Sequence, residues 1–149
     1  MRVLFTSTAG WGHIHPMVPL AGGVVWSLWS LIVNSLILPG RYAAAQQLGT
    51  LLQTPRYNVG SFLGVWFLSL FLLTAILAWL YAAARGALGP GPKTALQIGL
   101  LVGFAIGFPL SWSVVNWTAV GRFIPFWWML DLWVGAVLST LVAGWLYKD

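Results

Sequence analysis

The chain has no cysteine. Disulfide bonds, iron–sulfur ligation and thiol nucleophiles are excluded on that ground, while nothing follows about redox compartment. Charge is nearly as scarce: 6% of the 149 residues are Asp, Glu, Lys or Arg, against about 25% in an ordinary soluble domain. So few ionic groups cannot cover the surface of a water-soluble protein of this length. Acids are the rarest class, with Asp131 and Asp149 set against seven Lys and Arg for a formal charge of +5. The cations are scattered, so no basic run supports nucleic-acid binding; they suit lipid headgroups beside helix ends. Both histidines, His13 and His15, lie outside the long apolar segments, which disfavours a membrane haem. Two imidazoles without a third ligand make at most a weak metal site. Neither a metal nor a cofactor is expected.

What fills the chain instead is hydrocarbon. Four apolar stretches, 18–38, 62–83, 95–117 and 124–146, contain a single acid, Asp131. Each is about 21–23 residues, enough to cross a hydrocarbon core of about 30 Å at 1.5 Å per residue. They predict an all-α integral membrane protein: a four-helix bundle over 18–149 behind a short non-helical tail, 1–17. Span 1 is expected to stop at Pro39-Gly40, and the spacing of apolar residues over 41–53 suggests a short helix lying in the interface. Trp66, Trp112, Trp117, Trp127 and Trp128 fall near one boundary, and Trp79, Tyr81, Trp145 and Tyr147 near the other, as interfacial belts do. Four spans place both termini on one side. That side holds Arg2, Arg85, Lys93 and Lys148, the other Arg41, Arg56 and Arg122; four against three tips the termini toward the cytoplasm.

A faint internal repeat pairs Trp29-Ser30, Asn34 and Gly40-Arg41 with Trp112-Ser113, Asn116 and Gly121-Arg122. It suggests two duplicated hairpins related by an axis along the membrane normal. Small residues recur four apart: Gly99, Gly103 and Gly107 on span 3, and Gly135, Ser139 and Ala143 on span 4. Such stripes let helix backbones approach closely where lipid supplies no hydrophobic drive. Spans 3 and 4 are expected to pack through these faces.

Asp131 is the conspicuous polar residue. It lies about seven residues, roughly 10 Å, inside span 4, where an acid costs up to about 2.5–3.5 kcal/mol to insert. Antiparallel hairpins bring the ends of spans 1 and 3 to the same depth, with Asn34, Ser111, Ser113 and Asn116, and Arg122 borders that face. Pro109 frees the carbonyl of Ala105 and is expected to bend span 3 there. Two readings remain open. The cluster forms a polar pocket for a headgroup, quinone, ion or proton, or it is a hydrogen-bond network that fixes helix order, with Asp131 protonated or paired to Arg122.

The first residues, MRVLFTSTAGWGHIHPMVPLA, combine a short apolar strand, a turn with Gly10 and Gly12, then His13 and Pro16. This segment resembles the start of bacterial GT-B glycosyltransferases. The resemblance implies the first strand and turn of a Rossmann-like domain, with His13 as the base that deprotonates an acceptor hydroxyl. It ends at Ala21, with no second domain or donor site after it, so the segment reads as a fused remnant. Beyond it, the Gly-Pro-Gly-Pro-Lys turn at 89–93, Trp-Trp-Met-Leu-Asp at 127–131 and the Trp-Leu-Tyr ends of spans 2 and 4 resemble small, uncharacterised bacterial four-span membrane proteins. That similarity implies a bacterial inner-membrane location and no particular activity. The leading expectation is a non-enzymatic accessory subunit, in contact with lipid and with other membrane subunits or a second copy; the alternative is a protein that binds or transports a small molecule, lipid, quinone or ion at Asp131.

Overall fold

The structure, a computed structural model, describes residues 17–147. The glycosyltransferase-like opening with Arg2, His13 and His15, and the terminal Lys148 and Asp149, lie outside the described residues. Five α-helices account for most of the rest: α1 Met17–Ile32, α2 Pro39–Gln47, α3 Val59–Leu88, α4 Pro92–Trp117 and α5 Phe123–Leu146, with a π-helical turn at Val33–Ile37. Four of them, counting α1 with its π turn, are long and apolar enough to cross a membrane. The chain is an integral membrane four-helix bundle.

The helix ends follow local chemistry. Asn58 takes an extended conformation and its side-chain oxygen accepts from the Ser61 amide at 2.7 Å. That cap starts α3 three residues ahead of the apolar run. At the far end α3 continues past 83 to Leu88 because Ala84, Arg85, Ala87 and Leu88 are good helix formers that outweigh the single Gly86, until the Gly-Pro-Gly-Pro turn. Gly89 and Gly91 have φ of 85° and 115°, a region open to glycine and closed to most side chains. Pro92 then opens α4, where its missing N–H is no loss.

Pro39 acts in the same way. Span 1 ends at Ile37, just ahead of the expected stop at Pro39-Gly40, and the same pair begins α2. Span 1 leaves α-geometry earlier, where the Leu38 amide reaches back five residues to the Val33 carbonyl at 3.0 Å. The short helix is also shorter than 41–53: Gly49, at φ 70°, ends it, and Thr50 and Leu51 fold back to the Ala45 carbonyl. Val33, Leu38, Ala45 and Ile124 form a small buried cluster that pins α2 to the start of α5. α4 runs through Pro109 as one helix.

α5 packs against α1, α3 and α4 and sits at the centre of the bundle. A methyl group on Gly99 would strike Thr140 and come within 2.6 Å of the Val137 Cα; on Gly103 it would come within 2.8 Å of the Trp133 ring; on Gly107 within 3.0 Å of the Met129 carbonyl oxygen. As the α4 number rises the α5 number falls, so the helices are antiparallel and all three glycines are seated on α5. The other stripe was expected against α4 and is not there. Gly135 holds the Trp26 indole against its backbone, and Ser139 meets Gly22, both on α1. A central helix has several occupied faces, and residues 135 and 136 are about 100° apart around it. The faint repeat joins unlike environments, since Trp29 is half-buried and Trp112 exposed, Asn34 half-buried and Asn116 exposed. The Trp-Leu-Tyr ends do meet, with the Tyr81 and Tyr147 rings 6.0 Å apart.

Candidate functional site

The end of the bundle formed by the π turn, α2 and the start of α5 carries an oriented polar network centred on Asp131. Asp131 is 1% exposed. Its Oδ2 accepts from the Ser30 hydroxyl at 2.8 Å and from the Asn34 amide at 3.0 Å. The same amide donates to the Ser30 carbonyl at 2.9 Å, which directs the Asn34 oxygen outward. There it accepts from the Tyr42 hydroxyl at 2.6 Å, and that hydroxyl accepts from the Trp128 indole N–H at 2.7 Å. On the other side the Trp66 indole donates to Ser30 Oγ at 3.1 Å.

The direction of these bonds explains the acid. Indole N–H groups can only donate, whereas hydroxyls and amides relay by accepting one bond and donating another. Two arms, Trp66 to Ser30 and Trp128 to Tyr42 to Asn34, therefore run one way and need a terminal acceptor. Asp131 Oδ2 supplies it for both. Its Oδ1 is buried without a partner among the described residues. Burial pushes the Tyr42 phenol above its ordinary pKa, while the bond from Trp128 pulls the other way. Tyr42 is a hydroxyl throughout the neutral range.

A cavity of about 620 Å³ opens beside this network, bounded by α1, α2, the 51–55 loop, α3, α4 and α5. Ser30, Asn34, Tyr42, Trp66 and Trp128 contribute to its wall; Asp131 stands behind them and does not line it. The loop is stapled in place. Gln46 donates to the carbonyls of Leu52 and Gln53, and Gln53 donates back to the Gln46 carbonyl at 2.8 Å.

Of the residues singled out in the sequence, the structure joins Asp131 to Asn34 and sets Ser111 in the wall of the cavity. Ser113 and Asn116 do not belong. Both are exposed, and their side chains bond back to the carbonyls of Pro109 and Trp112 on their own helix. Arg122 does not pair with Asp131: it is exposed at the N-cap of α5, nine positions or roughly 13 Å along the axis from the acid. Ser30, Tyr42, Trp66 and Trp128 were missed as members of the network. Ser30 lies one helical turn before Asn34, a spacing that could have flagged it. The two tryptophans read as belt residues, and nothing in the sequence says that their N–H groups point inward.

No family model matches the sequence, and neither a curated protein nor a solved structure is significantly similar to it. The chemistry is read from the geometry alone.

Proposed function

We propose that this protein binds an amphiphilic small molecule inside the bilayer, with the apolar body in the cavity and the polar end against Asn34 and Tyr42. The observation that carries this reading is a cavity of about 620 Å³ with one ordered polar wall. Small-molecule sites usually have this form, about 300–1,000 Å³, largely apolar, with a few placed polar groups. Asp131 acts as a positioning residue, since it holds Asn34 and Ser30 and does not reach the cavity. A diazirine-bearing long-chain amphiphile should label residues of the cavity wall, and Val114→Trp, which fills the space, should abolish that label. Labelling spread evenly over the lipid-facing helix surfaces and unchanged by Val114→Trp would refute the proposal.

A second reading, association with another membrane subunit, is favoured by one feature. Phe104, Phe108 and Trp112 stack along the outer face of α4, with centroids 4.9 and 6.2 Å apart. Co-purification lost on Phe108→Ala would support it; a monomer without partners in mild detergent counts against it.

A further inference from the structure

We infer that the polar end of the bound amphiphile is an uncharged hydroxyl. This rests on the cavity reading above and goes further, to the chemical class of the ligand. Among the described residues, no Asp, Glu, Lys, Arg or His lines the cavity. A carboxylate or phosphate drawn into it would lose water and meet no cation, and an ammonium would meet no carboxylate on the lining; either is costly in a low-dielectric site. An uncharged head is left.

The count of donors and acceptors narrows the class. Both hydrogens of the Asn34 amide are committed, one to Asp131 and one to the Ser30 carbonyl. The Tyr42 hydrogen goes to Asn34, and the indole hydrogens of Trp128 and Trp66 go to Tyr42 and Ser30. This wall has no hydrogen left to give. It does retain acceptor capacity, because the Asn34 carbonyl oxygen and the Tyr42 hydroxyl each have two lone pairs and each accepts one bond. A ligand head seated on the Asn34–Tyr42 wall must therefore donate to it, and an uncharged hydroxyl does. A ketone or quinone carbonyl can only accept and would leave the wall unanswered.

The test compares photoactivatable C16 probes of equal length bearing an alcohol, a ketone, a carboxylate or an amine, on the full-length protein in detergent micelles. Preferential labelling of the cavity by the alcohol is expected, with the other three competing about tenfold less well. Tyr42→Phe, which removes one acceptor oxygen from the wall, should weaken alcohol labelling about three- to tenfold and leave ketone labelling less affected. If all four probes label the cavity equally, or if the ketone, carboxylate or amine is preferred, the hydroxyl assignment is overturned and the cavity reading stands. If none labels it, both fall. The probe comparison on the unsubstituted protein decides the matter even if Tyr42→Phe does not fold.

Discussion

Replacing Asp131 by alanine removes the costliest residue in the four spans, yet the variant should be less stable. Hydropathy argues the other way, since a central Asp carries an insertion cost of about 2.5–3.5 kcal/mol. That cost largely cancels on unfolding within a micelle or bilayer, where the helix stays in apolar surroundings. What changes is the network. Asp131 Oδ2 is the acceptor for two buried donors, the Ser30 hydroxyl and the Asn34 amide. Interhelical hydrogen bonds in membranes average about 0.6 kcal/mol and reach about 1.7, so losing two costs about 1–3 kcal/mol, and the void left by the carboxyl adds to it. Asn at this position still offers a carbonyl oxygen where Oδ2 sits, so Asp131→Asn should keep most of the stability. Reversible unfolding in mixed micelles, followed by circular dichroism, measures both. The expected order is wild type close to Asn, with Ala about 1–3 kcal/mol lower. An alanine variant as stable as wild type, or Asn and Ala variants equally destabilised, would refute a role as hydrogen-bond acceptor.

Other substitutions probe separate parts of the structure. Gly135→Ala sets a methyl into the fully buried Trp26 indole and should cost about 1–3 kcal/mol by overpacking; Trp26→Phe in the same chain should recover part of the loss, and a melting temperature unmoved by Gly135→Ala would contradict the packing. Gly103→Leu should separate α4 from α5, since even a methyl there comes within 2.8 Å of Trp133, and a double-cysteine cross-link between the two helices should fall in yield. Tyr42→Phe breaks the arm between Trp128 and Asn34, at about 0.5–1.5 kcal/mol, and should alter Trp128 emission in a variant that keeps only that tryptophan. Asn58→Ala removes the cap of α3 and should lower stability by about 1 kcal/mol, read as faster amide exchange confined to the first turn.

Much of the bundle was legible from residues alone, and particular elements show why. The spans of α4 and α5 were placed to within three residues, because each apolar run is bounded by breakers or by the end of the hydrophobic pattern. Gly99, Gly103 and Gly107 were assigned to contact with span 4, which is where they lie, because a doubled small-residue stripe has few other uses in lipid. Pro39 was read as the stop after span 1, which ends at Ile37, but not as the start of α2, because the same residue suits the first turn of a helix and the break after one; the π turn at Val33–Ile37 has no simple sequence signature. Ser113 and Asn116 lie on an exposed face of α4 and nearer the helix end than Asp131, since Gly107 is level with Met129; neither the facing of a helix nor its register against a neighbour can be counted along one segment.

By itself the sequence determined that four helices cross a membrane, that Asp131 lies buried at one end of span 4, and that Asn34 reaches the same depth. Those are sums along one helix: apolar area per turn, length against bilayer thickness, the position of a cap. Tertiary structure alone decided that Gly135 would hold Trp26, that Arg122 would stay clear of Asp131, and that two indoles, a phenol and an amide would form one directed chain beside a cavity. Each of these depends on the rotation of one helix about its axis relative to another. That rotation is set by how all the side chains pack together and is not stored in any single segment.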